Sequence, residues 1–499
     1  MRHFAFRCVL LNNNHRAPFE RIEVPVKTPK APATEASVRR LIHILPRSIV
    51  LLPCLLLASG CANDHLPQTA TQVTGTQGTP TQGATTCASG STPYISPVTP
   101  DIGLKPGASV AFSAAAYGIG DCSVTWSIKE GPAGGIITDG GLYTAPADEG
   151  VYHIIATSKA SPSLSTTDTV AVTATEFTAA GRMSTPRYYP TASLLTNGQV
   201  FIAGGMNDDY DFANPAELYD PATGKFDDAG QVSRIQHSAT VLANGDVLLA
   251  GGFAISNAVG YGPSNTADLR KAGSGAIQPT GSMNSYRAGH SATLLQDGRV
   301  LLAGGYAGST NKPIQTADLY DPTTGKFTSA GDMAAPRTGH SAVPLPNGRV
   351  LIVGGGAAGA ELYDPTTNTF LPAPGVSANR CNAVATLLAD GRVLIPGGAD
   401  CSNTLLDTVE IYDPSTGQST PAGKLVAAQS FGPATLLPDS RVLLVGGKPS
   451  VLSQIYDPTT GSFSFGPHLA SSWSGLTATL LPDGSVLILG GGANAEIYR

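Results

Sequence analysis

The sequence lacks any long helical period of apolar residues, and only 13% of its 499 residues are charged. Glycine and proline, in contrast, are abundant, with 58 and 38 residues. Because these two residues interrupt regular elements and favour turns, the composition is typical of an all-β protein. A chain of this length also exceeds what one hydrophobic core usually serves, which predicts at least two domains.

The N-terminal part lacks an apolar run long enough to span a bilayer. Its apolar stretch, residues 49–57, has only nine residues, follows the cation Arg47, and ends in small residues before Cys61. These features indicate a cleaved export signal. The ending LASGC resembles a bacterial lipoprotein box, which implies that Cys61 carries a lipid. The alternative is a plain secretory signal.

Charge is distributed unevenly along the chain. The first 61 residues carry nine Lys and Arg against three Asp and Glu, so the remainder has a net charge of −12. Such an acidic protein is a poor binder of nucleic acid. We expect a monomer that is exported and anchored by its lipid, in the outer membrane, the periplasm or at the cell surface.

Two segments separate the leader from the repeats described below. Residues 62–92 are rich in Thr, Gln and Gly with almost no apolar side chains, which predicts a flexible linker. Residues 93–175 contain about seven short alternating runs between turn residues, which predicts an immunoglobulin-like β-sandwich with Trp126 as its core anchor. The segment resembles the bacterial Ig-like modules of surface proteins, which usually act as spacers.

An apolar run closed by two glycines recurs seven times in the rest of the chain, at intervals of 43 to 53 residues. A period near 50 residues fits a four-stranded propeller blade, and a continuous apolar run fits a strand buried on both faces. The runs are VFIAGG at Val200, VLLAGG at Val247 and Val300, VLIVGG at Val350, VLIPGG at Val393, VLLVGG at Val442 and VLILGG at Val486.

Each run follows a short strand through a turn such as Asn197-Gly198, and six of the seven turns contain Asn-Gly or Asp-Gly. We expect two-residue hairpins there, because these pairs tolerate the positive φ angles that such turns need. A strand with the pattern E-x-Y, a D-P-x-T-G turn and a final strand with an aromatic residue complete each unit.

This combination of apolar run, Gly-Gly, later tyrosine and fourth-strand aromatic resembles kelch repeats, the propeller family that includes galactose oxidase. The resemblance covers about two thirds of the chain and implies a β-propeller fold, while propellers serve both as binding platforms and as enzymes. Galactose oxidase needs tyrosine and histidine copper ligands. The only Tyr-His pair here, Tyr152-His153, lies in the Ig-like segment, so no copper ligand is carried over and no cofactor is predicted.

The last repeat stops at Tyr498-Arg499 after three strands, whereas an extra strand near Phe177 precedes the first blade. An open ring would expose unpaired strand edges. We therefore predict that the Phe177 strand pairs with the final AEIYR. The domain boundaries that follow are a leader at 1–61, a linker at 62–92, an Ig-like sandwich at 93–175 and a seven-bladed kelch propeller at 176–499.

The loops after Gly-Gly vary in length and share one end of the predicted propeller with the segments that enter each first strand. Variation concentrated on one face is typical of a binding surface. Aromatic and acidic side chains there suit a sugar or a peptide, ordinary loop packing explains them equally well, and a calcium site at 207–211 lacks a full ligand set. The candidate ligand-binding residues of these loops are Tyr188, Tyr189, Asp208, Asp209, Tyr210 and Trp473.

Five arginines recur just before the first strand of successive blades, and two interpretations are open. They could form an anion-binding ring around one mouth of the propeller. However, the third strand of each of these blades carries an acid, and both partners are glutamine in blade six, which favours an ion pair within each blade. The arginines are Arg187, Arg234, Arg287, Arg337 and Arg380.

His237, His290 and His340 recur in the tripeptide H-S-A, a pattern that raises the question of a metal site. Sheet faces in a propeller pack against neighbouring blades, which favours histidines buried between blades over metal ligands. No metal site is predicted. No spacing of Ser, His, Asp or paired carboxylates indicates catalytic residues either.

Four cysteines remain outside the leader and the lipid site, and export predicts that they form disulfides. A two-residue turn at Asp390-Gly391 would place Cys381 opposite position 400, next to Cys401, within bridging distance. Cys87 with Cys122 is then the second pair.

The sequence therefore favours a non-catalytic binding module for a glycan or protein ligand. The alternative is a carbohydrate-active enzyme, either a sugar oxidase or an isomerase, on the same propeller.

Overall fold

The structure, a computed structural model, describes residues 93–97, 102–256, 260–307, 312–356, 359–376, 380–400, 402, 404–430, 432–447, 451–470 and 475–499. These residues belong to one compact unit that spans Ser59–Arg499. Strands dominate the described residues, where the one helical element is the 3-10 turn Gly131–Gly134. Within these ranges, no helix has the length and apolar character needed to cross a membrane. The leader, the linker, Cys61, Cys87, Cys401 and Trp473 lie outside the described residues.

Three small sheets form the N-terminal module. Phe112, Tyr143 and Tyr152 are buried at its centre, and the half-buried Trp126 packs against them. In pairing order the sheets are Ile102–Leu104, Ser165–Val172, Gly150–Ser158 and Val124–Ile128; Ser109–Ala111, Leu142–Thr144 and Ile136–Ile137; and Tyr94–Pro97 with Ala114–Tyr117.

Seven four-stranded antiparallel sheets follow, which we number 1 to 7 by the order of their first strands. The first four, each in pairing order, are Thr191–Leu194, Val200–Ala203, Glu217–Asp220 and Lys225–Asp228 (sheet 1); Ser238–Val241, Val247–Ala250, Ala267–Arg270 and Ile277–Pro279 (sheet 2); Ser291–Leu294, Val300–Ala303, Lys312–Asp321 and Lys326–Arg337 (sheet 3); and His340–Pro344, Val350–Gly354, Ala360–Asp364 and Thr369–Ala373 (sheet 4).

Two short hairpin elements branch from this part of the chain, Phe253–Ser256 with Gly260–Pro263, and Tyr306–Ala307 against the start of the third strand of sheet 3. The remaining sheets are Thr386–Leu387, Val393–Pro396, Thr408–Asp413 and Gln418–Lys424 (sheet 5); Ala434–Leu436, Val442–Val445, Ser453–Asp457 and Ser462–Phe465 (sheet 6); and Thr477–Leu480, Val486–Leu489, Gly492–Tyr498 and Thr178–Arg187 (sheet 7).

The second strand of each sheet is one of the apolar runs, and it is buried because both of its faces pack against other sheets. Val200 and Ile202 of sheet 1 contact Leu487 of sheet 7, whereas Phe201 and Ala203 face sheet 2. Hydrophobic clusters of this kind lie between every two consecutive sheets, and also between sheet 7 and sheet 1.

Sheet 7 combines the two ends of the repeat region. Thr178 pairs with Ile497 and Ala179 with Glu496, so the strand that precedes sheet 1 is the fourth strand beside the last residues of the chain. These are the two segments whose pairing the repeat pattern predicts. The first strands of consecutive sheets also contact each other, and the first strand of sheet 7 contacts that of sheet 1.

The hairpin loops between first and second strands are one residue longer than predicted. Leu195 bonds to Gln199 across a three-residue loop, and only the last loop residue, Gly198, has a positive φ, 85°. The Asn197 side chain instead accepts from the Gln199 N–H, so it stabilises a type I turn followed by a left-handed residue. Consequently Cys381 lies opposite Ala399, not opposite position 400.

The N-terminal module packs against sheet 6 and the strand that enters sheet 7. His468 is buried there, with its Nδ1 2.7 Å from the Thr173 hydroxyl. A side chain at Gly103 would collide with the His468 ring, so glycine is required at this contact. Ala171 adds an apolar contact with Val451 and Leu452.

Candidate functional site

The segments that enter the first strands and the loops after Gly-Gly meet at one end of the sheets, which we call the loop end. Isolated bridges join the two segments, as between Tyr188 and Met206 in sheet 1 and between Ala288 and Tyr306 in sheet 3. The Gly-Gly pair permits this approach. Gly204 has a φ of 58°, and any side chain on it would collide with the Arg234 carbonyl of the next sheet.

All five recurrent arginines make ion pairs with the acid on the third strand of their own sheet. The guanidinium and carboxylate of Arg287 and Asp318 are 2.7 Å apart, and both side chains are buried. The observed arrangement is therefore the one expected of an internal pair, not of an anion-binding ring. The other pairs are Arg187–Glu217 at 2.8 Å, Arg234–Asp268 at 2.7 Å, Arg337–Glu361 at 2.8 Å and Arg380–Glu410 at 2.7 Å.

Each arginine also donates to the backbone oxygen of the first glycine of its Gly-Gly pair. Arg287 donates from one nitrogen to Gly304 O and Thr316 O, both at 2.9 Å. Burial lowers the pKa of Arg287, and the Asp318 carboxylate opposes this shift. The pairs thus connect the end of the second strand to the start of the third.

Sheets 6 and 7 have other residues at the positions of this pair. In sheet 6, Gln454 donates to the Oε1 of Gln429 at 2.8 Å, and Gln429 donates to Gly446 O. In sheet 7, Glu496 is buried and its Oε2 has no hydrogen-bond partner among the described residues. Burial raises the pKa of Glu496 to about 7.

The three H-S-A histidines lie between sheets. The Nε2 of His290 is 2.9 Å from the Ser238 hydroxyl of the preceding sheet, and His237 and His340 contact Thr191 and Ser291 in the same way. Burial, followed by the nearby arginines, lowers the pKa of His237 to about 3 and of His340 to about 4. These imidazoles are neutral at neutral pH.

The first loop of the loop end holds most of the remaining predicted residues. The Tyr188 hydroxyl donates to Asp208 at 3.2 Å, and burial with the Asp208 charge raises the Tyr188 pKa to about 12. The Asn207 side chain accepts from the Asp209 and Asp211 amides, which fixes the loop. Tyr210 is half-buried with a φ of 61°.

A set of residues at the loop end was missed by the sequence reasoning. Gln236 and Asn382 stand two residues after Arg234 and Arg380, and both have left-handed backbones, as does the predicted Tyr189. The signal was available, because glycine occupies the same repeat position in sheets 3, 4 and 7, at Gly289, Gly339 and Gly475. Glycine at a fixed repeat position indicates a positive φ.

A polar cleft of about 590 Å³ lies at the opposite end, between sheets 3 and 4, and Asp297, Arg349 and Asp364 line it. Its charged groups are already paired, with Arg349 2.9 Å from Asp364 and Asp297 2.7 Å from Arg299. The charged side chains at this end are therefore paired with each other, whereas the exposed tyrosines lie at the loop end.

Two cysteines are described, and both Cys122 and Cys381 are disulfide-bonded. Their predicted partners, Cys87 and Cys401, are outside the described ranges, so the two pairings stay predictions.

Comparisons with known proteins address the fold. The Kelch motif family matches residues 287–334, which begin at the arginine of sheet 3 and include its Gly-Gly. The fold is a kelch-type β-propeller. A solved structure described as a fungal alcohol oxidase with catalytic diversity among the AA5 family, in complex with copper, is similar with a TM-score of 0.52 and 17% identity, over 63% of this chain and 74% of that chain. At this identity the likeness shows the galactose oxidase-like fold alone, and no curated protein matches the chain.

Copper is the metal of that similar structure, and a copper centre needs several donor side chains grouped around one point. Over the described ranges, no three or more His, Cys, Asp or Glu side chains are grouped to hold a metal ion. The recurrent imidazoles lie one per sheet and each contacts a hydroxyl through Nε2. These residues do not fit a copper centre.

Proposed function

We propose that this chain is an exported, lipid-anchored monomer whose seven sheets form a closed kelch propeller that binds a glycan or protein ligand without catalysing a reaction. In this proposal Cys61 carries the lipid, residues 62–92 are a flexible stalk, and residues 93–175 are an Ig-like spacer. The strand pairing in sheet 7 and the clusters between all consecutive sheets support the closed ring.

The observation that carries the binding function is the exposure of tyrosines at the loop end. Tyr189 is 44% exposed and Tyr286 is 41% exposed, and both belong to segments that enter half-buried first strands. Tyrosine offers a large apolar face and a hydroxyl at little cost in side-chain entropy, which suits contact with sugars or peptides. In the first loop of the same end, Asp208 and Asp209 add exposed carboxylates.

A glycan array probed with the full-length protein tests this function. We expect a specific signal that weakens in the variant Tyr286→Ala, since that change removes an exposed ring without opening the core. A matched control is Leu371→Ala, an exposed apolar residue, 41% exposed, on the fourth strand of sheet 4.

The enzyme alternative is tested with the same preparation. Metal analysis and oxygen uptake or isomer formation on galactose, glucose and their derivatives would detect a sugar oxidase or isomerase. Robust turnover that disappears in loop-end variants would contradict the binding function.

A further inference from the structure

Sheet 7 takes its strands from both ends of the repeat region. Its fourth strand, Thr178–Arg187, pairs with Gly492–Tyr498, and we call this pairing the seam. Each of sheets 1 to 6, in contrast, takes its four strands from one continuous stretch of chain. At the seam, noncovalent pairing must therefore do what a connecting turn does between the third and fourth strands of the other sheets.

Sheet 7 also lacks, over the described ranges, the internal ion pair of sheets 1 to 5. Glu496 lies on the seam, opposite Ala179, and its buried Oε2 accepts no hydrogen bond from a described residue. In sheets 1 to 5 the acid at this repeat position is paired with an arginine. Because a buried carboxyl without a cation lowers stability, sheet 7 benefits from support outside its own strands.

The N-terminal module reaches the seam through a short connection, residues 173–177, which leads from its last strand to the fourth strand of sheet 7. This connection pairs with the segment that enters sheet 7. The His468 N–H donates to Thr175 O at 3.1 Å, and the Phe177 N–H donates to His468 O at 3.2 Å. The Phe177 ring is buried, with its centroid 6.2 Å from that of Tyr498. The fourth strand is thus fixed in place just before it begins.

Two small residues let the module approach His468 closely. Gly103 and Ala171 are register partners on neighbouring strands of the module. Ala171 contacts an apolar pair just before the third strand of sheet 6, Val451 and Leu452. Gly103 lies so near the His468 imidazole, which is buried, that any side chain on it would collide with that group. Close packing of this kind holds the module and the sheets in one relative position.

We propose that the N-terminal module is a clamp, which keeps the ring of sheets closed by holding residues 173–177 against His468. The inference goes beyond the proposed function, in which this module is a spacer, and it rests on the closed ring but not on any ligand. A strand whose start is already held loses less conformational entropy when it pairs, so the seam opens less often.

Hydrogen exchange of full-length variants tests the clamp. Gly103→Val places a side chain against the His468 imidazole, while a β-branched residue suits the strand that contains Gly103. We expect the amides of both seam strands to exchange about tenfold faster or more, and the second strands of sheets 2 to 5 to stay unchanged. Gly120→Val is the matched control, because Gly120 is exposed in the same module and a Cβ there meets nothing within 4 Å. It should leave the exchange unchanged.

A second test removes the contact from the other side. His468→Ala takes away the packing without a collision, and it should also speed exchange at the seam. In the double variant Gly103→Val with His468→Ala, the space left by the imidazole accommodates the valine. Exchange there should be no faster than in His468→Ala alone, because the two substitutions act on one contact.

The outcomes separate the clamp from the closed ring. Slow exchange at the seam of the unaltered protein, with the same rate in Gly103→Val, would overturn the clamp and leave the closed ring intact. Equal acceleration in sheets 2 to 5 would also overturn the clamp, because it would indicate a general loss of stability. A double variant that exchanges faster than either single variant would show that Gly103 and His468 do not share a contact. Fast exchange at the seam of the unaltered protein would contradict both the ring and the clamp.

Discussion

Sheets 3 and 6 meet the same structural requirement with different chemistry. In sheet 3 a charged pair, Arg287 and Asp318, bonds to the oxygens of Gly304 and Thr316. In sheet 6 two glutamines bond to each other, and Gln429 donates to Gly446 O and Leu452 O at the equivalent places. The comparison indicates that the position must bond the backbone carbonyls of the first glycine and of the residue two positions before the acid or its counterpart, and that a charged pair is one of two ways to do so.

The largest effect is expected from breaking the pair on one side only. Arg287→Ala leaves Asp318 buried without its cation, and we expect a loss of roughly 3–5 kcal/mol in the free energy of unfolding, measured by denaturant titration. The double variant Arg287→Gln with Asp318→Gln reproduces the chemistry of sheet 6 and should recover most of that loss. A double variant as unstable as Arg287→Ala would contradict the comparison.

Sheet 7 extends the comparison, because it retains the acid in Glu496. The pKa of Glu496 is raised by burial from 4.5 to about 7. The folded state therefore binds more protons between these pH values, and stability falls as pH rises from about 4.5 to 7. Glu496→Gln should remove this loss and stabilise the protein by roughly 3 kcal/mol at pH 8, with little effect at pH 4. Equal effects at both pH values would show that the carboxyl is not buried as described.

A smaller effect is expected from the buried histidines, which make stability depend on pH. Sheet 5 has Ala383 at the same repeat position. Because burial lowers the pKa of His340 to about 4, the unfolded state binds more protons below pH 6.5. Stability is complete above that pH and is lost as pH falls towards 4. His340→Gln should remove this pH dependence, which amounts to about 2 kcal/mol in the free energy of unfolding at pH 5. Thermal unfolding at pH 5 and 7.5 measures it, and an unchanged slope would refute it.

The smallest effect concerns the hairpin of sheet 6, where Ser440 holds the left-handed position that glycine holds elsewhere. Ser440→Gly should raise the free energy of unfolding by about 0.5–1 kcal/mol, because the strain of a side chain at positive φ is removed. A destabilised variant would mean that the serine side chain makes a contact that outweighs this strain.

Much of the fold was predictable because the same residue types recur at the same position of each repeat. The apolar runs, the Gly-Gly pairs and the shared loss of charge in sheet 6 indicated buried second strands and internal pairs before any coordinates. The hairpin register was not predictable from Asn197-Gly198 alone, because two-residue and three-residue loops use the same pair of residue types. The two loop types differ in length by one residue. With the longer loop, Cys381 lies opposite Ala399 instead of position 400.

The candidate site was only partly predictable. Asp208 and Tyr210 belong to a loop whose length and composition indicated a surface, and Tyr188, 20 residues before Asp208, contacts that loop through its hydroxyl. Gln236 and Asn382 occupy equivalent positions in sheets 2 and 5, far apart in sequence, and each lies against the glycine of a neighbouring sheet. Their shared signal, a left-handed backbone, becomes evident once the glycines of three other repeats are aligned with them.

The closed ring is the claim on which the arrangement of the loop end depends, and hydrogen exchange tests it most directly. Amides of Thr178–Arg187 pair with Gly492–Tyr498, so both segments should exchange slowly in the full-length protein. In a chain that ends at Gly491, we expect the protection of residues 178–187 to be lost while the second strands of sheets 2 to 5 stay protected. Undiminished protection of residues 178–187 in that truncated chain would contradict the closure.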